Sequence, residues 1–548
     1  MRRLWIALWY AQVKGIMGLG HNIWAYAYLR VLYNRNPDVY YATLLAEPNL
    51  LLPVAYTPTV GEACQKFGQM PLYPRGCYVS ITNRGNIKAV LEEYAKAMLK
   101  PKKGGGYECD CIVFSDGGRI LGLGDLGTGG MGIPLGKLDL YTAFGGFNPH
   151  RTIPVILDAG IGDASHNTAH LPIRSYDLYT GLKIDRVKQM STAGTEVNSA
   201  YYGSDSFVSE FMSAARDLFG KGCLLQFEDF NTNDAFPLLA EYRNKFLCYN
   251  DDIQGTASIA VGAILGGIKV QNPTADVIEE IKGMRVLFHG SGSANLGAAS
   301  LLVNEAGVPA QNVMCTNSKG LIWRSADGSE GTFRNDEQKA VAMIGKPSLD
   351  NHKDLVEMIN VYKPDAIIGA VGRDPGCFNQ AVVEAMVSVA EAKGRRPIIF
   401  ALSNPKTQAE ITAHDCYKWS KGKALFGSGT RFDNELVGNQ TRKPGQVNNF
   451  FIFPGTSFGS MLCEAEHIPD KFFMVAAEAV ANSLDASDIA AESVVPNEAR
   501  IRDVSLNVAT AIVMEAQKQG IAGKPLGDDA ATVKATIKSK MWSPTASA

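Results

Sequence analysis

The chain has 548 residues, of which 46% are hydrophobic and 20% are charged, a composition typical of globular proteins. Its 53 Lys and Arg residues nearly balance its 55 Asp and Glu residues, which gives a formal net charge of −2 at pH 7. This balance argues against nucleic acid or an anionic membrane surface as a partner, because both require a concentration of basic residues. At roughly 100 to 200 residues per domain, the length predicts about two to four packed domains.

The ten cysteines are too sparse for a disulfide scaffold and indicate an intracellular chain with reduced thiols. The longest uncharged apolar stretch, 253–268, has 16 residues and is interrupted by Gly and Thr, whereas a bilayer requires roughly 20. We therefore expect no transmembrane helix. The opening MRR and the apolar residues after it faintly resemble a signal or transit segment, but no clear cleavage pattern follows. We expect a cytoplasmic location, with a mitochondrial one left open.

The first part of the chain is expected to be mainly helical, because apolar residues recur at helical spacing over 21–41 and 89–99. Short buried strands are then expected over 111–114 and 120–123. Further along, helices and apolar strands alternate. The predicted helices are 207–218, 236–243 and one that begins at Ile253, and the predicted strands are 224–227, 245–249, 285–288, 312–315, 366–368 and 397–400. This alternation predicts an α/β fold with parallel sheets.

The sequence GSGSAN at 290–295 lies between a predicted strand and a predicted helix. Gly290 permits the turn, Gly292 lets the backbone approach a pyrophosphate, and the helix N-terminus offers N–H groups to the anion. This context favours dinucleotide binding by Gly290, Gly292, Ser293 and Ala294. A glycine-rich turn without a ligand stays open as the alternative, because Asn295 stands where Gly or Ala usually permits close packing.

The strand after this helix is predicted to end at Asn317, where an acidic residue would normally bind the ribose 2′-hydroxyl. An amide does not repel a 2′-phosphate, and Ser318, Lys319 and Arg324 follow closely. The segment therefore favours NADP over NAD. The alternative is that these basic side chains are only solvated surface residues.

Two pairs of carboxylates follow neighbouring predicted strands, Glu228 and Asp229 after one, and Asp251 and Asp252 after the next. Parallel strands end at the same sheet edge, so Glu228, Asp229 and Asp252 can converge. Three oxygen donors without a nearby His or Cys suit Mg²⁺ or Mn²⁺. Alternatively, Asp252 caps the helix that begins at Ile253, and the other two are loop charges. The residues alone leave both interpretations open.

A series of segments resembles motifs of the malic enzymes, in the order in which that family has them. They are YTPTVG at 56–61, RILGLGDLG at 119–127, GK at 136–137, FEDF at 227–230, NDDIQGT at 250–256, FALSNP at 400–405 and GQVNN at 445–449. The similarity runs from about residue 35 to past residue 500. It implies oxidative decarboxylation of L-malate to pyruvate and CO₂, with NADP or NAD as the cofactor and Mg²⁺ or Mn²⁺ as the metal, in a homo-oligomer that is a dimer or a tetramer.

The resemblance also implies roles for individual residues. Lys137 is expected to take the proton of the malate C2 hydroxyl, assisted by Asp251, and for this its surroundings must lower its pKa. Tyr56 is expected to donate a proton to C3 of the enol. The binding residues implied are Glu228, Asp229 and Asp252 for the metal, Arg119 for a substrate carboxylate, and Asn404 and Asn449 near substrate and nicotinamide.

The expected domains are a helical N-terminal region with an α/β catalytic domain over 1–250, a Rossmann-type doubly wound dinucleotide-binding domain over 251–510, and a helical tail over 511–548 that packs back. Residues before about 35 do not resemble the usual family opening.

His166 and His170 are interpreted as polar surface residues, since the pair lacks the Glu of a zinc-protease motif. A malolactic-type lyase that releases lactate and a non-catalytic dinucleotide-binding protein are the alternative functions.

Overall fold

The computed structural model describes residues 2–70, 75–120, 123–162, 179–186, 201–349, 351 and 353–544, without the side chains of residues 2–5 and 232. The chain divides into two compact units. Unit 1 takes in Met1–Asp251, Ser457–Ile468 and Val513–Ala548, and unit 2 takes in Asp252–Thr456 and Pro469–Ile512. The predicted His166 and His170 lie outside the described residues.

The described α-helices, in chain order, are α1 (Arg2–Gly18), α2 (Asn22–Arg35), α3 (Pro37–Ala46), α4 (Pro48–Ala55), α5 (Thr59–Gln65), α6 (Ile87–Met98), α7 (Gly132–Leu140), α8 (Phe207–Phe219), α9 (Thr232–Tyr242), α10 (Thr256–Gln271), α11 (Val277–Lys282), α12 (Ser293–Asn304), α13 (Asp336–Ala340), α14 (Leu355–Tyr362), α15 (Gln380–Ala392), α16 (Ala413–Trp419), α17 (Phe453–Leu462), α18 (Asp470–Ala481), α19 (Ala486–Ala490), α20 (Ile501–Lys518) and α21 (Ala530–Lys540).

The described strands are β1 (Cys77–Ser80), β2 (Cys111–Ser115), β3 (Thr152–Asp158), β4 (Leu224–Phe227), β5 (Cys248–Asn250), β6 (Val286–His289), β7 (Val313–Asn317), β8 (Gly320–Leu321), β9 (Trp323–Arg324), β10 (Met343–Ile344), β11 (Ala366–Gly369), β12 (Ile398–Ala401), β13 (Leu425–Ser428), β14 (Glu435–Val437), β15 (Gln440–Arg442) and β16 (Gly445–Gln446). Most of the strands predicted from the sequence are present in the structure, within a few residues of their expected bounds.

Two local predictions were wrong. The helix predicted over 21–41 is two helices, because Pro37 starts α3 and the side chain of Asn36 accepts a hydrogen bond from the Val39 N–H at 3.1 Å. The strand predicted over 120–123 is absent as such from the described part, where Ile120 forms a single antiparallel bridge with Gly124 and residues 121–122 are not described. Glycines around this bridge favour a turn instead.

Unit 1 has a five-stranded sheet in the order β1-β3-β2-β4-β5, and all of its described pairings are parallel. Strands β2 and β3 are buried throughout. Phe227 at the end of β4 is paired with Asn250 at the end of β5. The next residues of both strands, Glu228 and Asp251, therefore leave the sheet side by side at one edge.

Unit 2 has a seven-stranded sheet in the order β16-β13-β12-β11-β6-β7-β8, parallel except for the β7–β8 pair. The chain runs from β6 outward to β7 and later returns to place β11 on the other side of β6. The strand order thus reverses between β6 and β11. In open α/β sheets, ligands bind beyond the carboxyl ends of the strands at such a reversal.

Helix α10 of unit 2 is apolar on all sides, and every residue from Ala257 to Ile268 is buried. Together with the turn before it, this segment (Asp251–Gln271) has the length and composition of a membrane span, but 83% of its most apolar window is buried inside the protein. A helix that is apolar on every side is expected in the core of a large domain. We therefore interpret α10 as a core helix of the sheet domain.

Candidate functional site

Lys137 is a buried ammonium held between two carboxylates of unit 1. It lies near the C-terminal end of α7, whose nine residues are all buried, so the helix places this side chain in the interior. Its Nζ is 2.5 Å from Asp251 Oδ2 and 3.0 Å from Glu228 Oε1, and all three side chains are at most 4% exposed. The same Nζ lies 5.9 Å from the centre of the Tyr56 ring. The structure thus brings four of the predicted site residues together.

The environment of Lys137 acts on its pKa in opposing directions. Burial alone lowers the pKa, but the charges of Asp251 and Glu228 outweigh burial and raise it well above the usual range. The side chains around Lys137 do not by themselves produce the expected lowering of its pKa, because two carboxylates face a single ammonium. Burial also raises the pKa of the Tyr56 phenol, so Tyr56 keeps its proton.

Three carboxylates converge at the edge where β4 and β5 end. Ligand oxygens of Glu228, Asp229 and Asp252 all lie within 4.8 Å of one another. Asp252 is two residues past the end of β5, so this strand sets its position. Carboxylate oxygens this close repel one another unless a cation lies among them. This donor set fits a hard divalent ion.

The loop that supplies Asp229 is also tied to Arg119. Asp229 has a φ of 55°, in the left-handed region that non-glycine residues adopt infrequently, and its carbonyl accepts a hydrogen bond from the Arg119 N–H at 3.0 Å. The Arg119 side chain is exposed. The backbone therefore holds a candidate carboxylate-binding arginine next to the acidic cluster.

A second layer of buried side chains in unit 1 supports Glu228, and sequence analysis missed it. Gln226 Nε2 donates to Glu228 Oε2 at 2.5 Å, and Gln226 Oε1 accepts hydrogen bonds from the hydroxyls of Tyr141 and Tyr249. Both tyrosines also contact Ser457 Oγ, at 2.9 and 3.0 Å. A sequence signal existed, because Gln226 and Glu228 are two residues apart at a strand end and so point to the same face.

In unit 2, the predicted glycine loop lies at the carboxyl edge where the strand order reverses. Gly290 has a φ of 101°, and a Cβ there would lie 2.7 Å from the Ala370 carbonyl oxygen beyond β11. Its N–H donates to Thr316 Oγ1 at 3.1 Å. Gly292 precedes α12, which begins at Ser293 with Ala294 in its first turn. The loop therefore presents a helix N-terminus at the edge where a dinucleotide pyrophosphate could bind.

Asn295, the departure from the glycine pattern, has a structural role. It is 1% exposed, and its Nδ2 donates to the carbonyls of His289 and Gly290 at 3.0 Å each. The close helix packing that the pattern expects at this position is provided two residues later, where a Cβ at Gly297 would lie 2.8 Å from the Ile253 carbonyl oxygen. Gly297 therefore provides the close packing that Asn295 does not allow.

Asn317 ends β7 and is anchored on several sides. Its Nδ2 donates to Thr332 O at 2.8 Å and to Gln338 Oε1 at 2.9 Å, and its Oδ1 accepts from the Lys319 N–H at 2.8 Å. A guanidinium nitrogen of Arg334 contacts Ser318 Oγ. Beside the predicted Ser318 and Lys319, sequence analysis thus missed Arg334, which the fold brings back from a distant loop.

The two predicted amide residues also lie in unit 2. Asn404 is exposed in the loop after β12. Asn449 is partly buried, and its Nδ2 lies 3.5 Å from Thr256 Oγ1 at the start of α10. Asn404 therefore follows the carboxyl end of a parallel strand, the kind of position at which such sheets bind ligands.

Two family models match the chain, the malic enzyme N-terminal domain over residues 33–243 and the malic enzyme NAD-binding domain over residues 253–517. An NADP-dependent malic enzyme of Dictyostelium discoideum is 38% identical over 531 residues, covering 95% of this chain and 88% of that protein. An NADP-dependent malic enzyme of Mus musculus is 38% identical over 520 residues, covering 93% of this chain and 82% of that protein. A mitochondrial NADP-dependent malic enzyme of Homo sapiens is 37% identical over 505 residues, covering 91% of this chain and 76% of that protein.

Solved structures share the fold. The malic enzyme of Entamoeba histolytica matches with a TM-score of 0.57 at 20% identity, covering 89% of this chain and 80% of that one. The malic enzyme of Pyrococcus horikoshii matches with a TM-score of 0.52 at 21% identity, covering 89% of this chain and 88% of that one. The predicted α/β fold and family resemblance are confirmed, and the cofactor of the matched domain is a nicotinamide dinucleotide. The chain belongs to the malic enzyme family.

Proposed function

We propose that the protein catalyses the oxidative decarboxylation of L-malate to pyruvate and CO₂ with reduction of NADP. The observation that supports this most directly is the buried Lys137, held by Asp251 and Glu228 beside Tyr56. A reaction that removes a hydroxyl proton and later returns a proton to carbon needs a base and an acid close together. The names of the similar proteins from Dictyostelium and mouse support malate and NADP as the reactants.

We infer that Glu228, Asp229 and Asp252 hold Mg²⁺ or Mn²⁺. All three donors are carboxylates with oxygens within 4.8 Å of one another, which is the ligand chemistry that these ions prefer. A divalent cation bound there would polarise the malate C2 oxygen and supply positive charge that offsets the carboxylates around Lys137.

The chain's own side chains have distinct roles in the proposal. Lys137 takes the proton of the malate C2 hydroxyl as a neutral amine, a state that the positive charge of a cation held by Glu228, Asp229 and Asp252 would favour, and Asp251 orients Lys137 as its hydrogen-bond partner. A bound nicotinamide would supply the hydride acceptor for C2. Tyr56, whose buried phenol is protonated, delivers its proton to C3 after CO₂ departs, and the ammonium that Lys137 became in the first step, 5.9 Å from the centre of the Tyr56 ring, returns a proton to the phenolate. The guanidinium of Arg119 binds a malate carboxylate.

We propose that the dinucleotide binds at the edge of the unit 2 sheet, with its pyrophosphate at Gly290, Gly292, Ser293 and Ala294. Asn404 and Asn449 contact substrate or nicotinamide. The absence of a carboxylate at Asn317, with the side chains of Ser318, Lys319 and Arg334 near it, favours the 2′-phosphate of NADP. We further propose a dimer or a tetramer and a cytoplasmic location; one similar human protein is mitochondrial.

A steady-state assay tests the function. Purified protein with L-malate, Mn²⁺ and NADP should produce reduced nicotinamide, seen by its near-ultraviolet absorbance, in equal amount to pyruvate. The ratio of kcat/KM for NADP to that for NAD should exceed one. If no reduced nicotinamide forms with either cofactor, the proposed function is contradicted. A kcat/KM ratio of NADP to NAD below one would contradict only the interpretation of Asn317.

A further inference from the structure

A second group of metal-ligand side chains lies in unit 2, apart from the acidic cluster. A ring nitrogen of His289, a carboxylate oxygen of Asp374 and the Sγ of Cys377 all lie within 4.8 Å of one another. His289 is the last residue of β6, and the other two belong to the loop after β11, the neighbouring strand. We propose that these three residues bind a zinc-class divalent cation through nitrogen, oxygen and sulfur.

The donor set selects the kind of ion. Imidazole and thiolate are the ligands that Zn²⁺ prefers, whereas Mg²⁺ and Mn²⁺ favour oxygen. Of the ten cysteines, all within the described part of the chain, Cys377 alone is only partly buried. It is therefore the thiol that an ion from solution can reach. Three protein ligands leave a fourth position for water or another small ligand, as in open zinc sites.

The backbone holds Cys377 rigidly on both sides. The Gly376 N–H donates to Ala409 O at 3.0 Å, and the Phe378 N–H donates to Glu410 O at 3.0 Å. The Cys377 N–H reaches back to Asp374 O at 3.3 Å and closes a turn, which places the two ligand side chains three residues apart on one loop. Little conformational entropy is then lost when an ion binds.

His289 is oriented in the way that metal-binding histidines usually are. Its Nδ1 lies 2.9 Å from Thr316 Oγ1, so the neighbouring strand β7 holds the ring in one orientation. Hydrogen bonds of this kind fix the ring orientation of metal ligands. The ring also lies beside Phe378, with 5.9 Å between ring centroids, which limits its rotation further.

The position of the site implies a consequence for the cofactor. His289 immediately precedes Gly290, so the ion would border the loop proposed for the dinucleotide pyrophosphate. We expect bound Zn²⁺ to weaken dinucleotide binding, an expectation that rests on the proposed function. The binding of the ion itself does not depend on that function.

Cobalt substitution tests the site without measuring activity. Co²⁺ is titrated into the full-length protein in the presence of excess Mg²⁺, which keeps the all-carboxylate cluster from contributing. We expect a near-ultraviolet thiolate-to-cobalt absorption band that Zn²⁺ abolishes by displacing Co²⁺. The band should be absent in Cys377→Ser and present in Cys416→Ala, a matched control whose buried thiol lies in α16 of the same unit.

Further variants separate metal binding from a folding defect. Asp374→Asn changes an exposed side chain and should weaken Co²⁺ binding, while Thr316→Val should weaken it about tenfold or more by releasing the His289 ring. Circular dichroism checks that each variant is folded. A wild-type protein without the band, or a Cys377→Ser variant that retains it, would overturn the proposal. Failure of dinucleotide to bind at all would contradict the proposed function and leave the cobalt result intact.

Discussion

The side-chain nitrogen of Gln226 lies 2.5 Å from Glu228 Oε2, so a neutral amide orients a carboxylate at the centre of the candidate active site. The amide oxygen is fixed in turn by the hydroxyls of Tyr141 and Tyr249, and both tyrosines contact Ser457. Every member of this chain of hydrogen bonds is buried. A carboxylate oriented in this way loses less entropy when it binds an ion.

Gln226→Leu should therefore weaken Mn²⁺ binding about 10- to 100-fold, the usual cost of losing such a support. Isothermal titration with Mn²⁺ measures the effect in the absence of substrate. Ser457→Ala removes only the far end of the network and should have a smaller effect. Equal Mn²⁺ affinities for Gln226→Leu and the unmodified protein would show that Gln226 does not position Glu228.

Tyr56→Phe keeps the aromatic ring and removes the proposed proton donor. We expect kcat to fall roughly 10²-fold or more, the usual contribution of a positioned acid, while NADP affinity stays near that of the unmodified protein. Steady-state kinetics and fluorescence titration with NADP measure the two quantities. Tyr78→Phe, on β1 of the same unit, is the matched control. Parallel losses of kcat and NADP affinity in Tyr56→Phe would indicate a structural role instead.

Asp234 should make stability depend on pH. Burial raises its pKa from 3.8 to about 7, although Tyr202 donates a hydrogen bond to it at 2.5 Å, and Asp116 and Arg186 are the charged groups that act on it in opposite directions. The unfolded chain loses this proton near pH 4 and the folded chain only near pH 7. The group therefore lowers the stability of the folded state progressively as pH rises between those values.

Asp234→Asn should remove this pH-dependent penalty, because an amide oxygen can still accept the Tyr202 hydrogen bond. We expect the variant to gain roughly 2 kcal/mol in free energy of unfolding at pH 8, with a gain that disappears as pH approaches 4. Urea denaturation at a series of pH values measures it. The exposed Asp433→Asn serves as the control. A gain of the same size at every pH would contradict the assigned cause.

Arg30 and Asp139 form an ion pair in the helical part of unit 1, and both are nearly fully buried. Asp139 also accepts hydrogen bonds from Tyr40 at 2.8 Å and Tyr41 at 3.2 Å. Arg30→Met should cost about 3 to 5 kcal/mol in free energy of unfolding, because it leaves a buried carboxylate without its cation.

The double variant Arg30→Met/Asp139→Leu should cost less than the sum of the two single changes, since it removes both charges together. Urea denaturation of all four proteins gives the coupling energy. For comparison, Lys282→Met disrupts the exposed pair with Glu279 and should cost less than about 1 kcal/mol. Additive effects at Arg30 and Asp139 would mean that the pair does not act as a unit.

Sequence patterns predicted the strands around the site because these strands are short apolar runs bounded by turn residues, which need no information from distant parts of the chain. The motif resemblance then placed Lys137, Asp251 and Tyr56 in one reaction, although about 80 residues separate Tyr56 from Lys137. Only the paired ends of β4 and β5 show that Glu228 and Asp251 reach Lys137 from adjacent strands.

By itself, the sequence determined the alternation of helices and strands, the residue types available for catalysis and the family to which the chain belongs, since all of these depend on local pattern and motif order. The tertiary structure alone decided the pairing of Lys137 with Asp251 and Glu228, the support of Glu228 by Gln226, and the approach of Cys377 to His289. Burial and distance between residues far apart in the chain set these properties, and neither is encoded in local spacing.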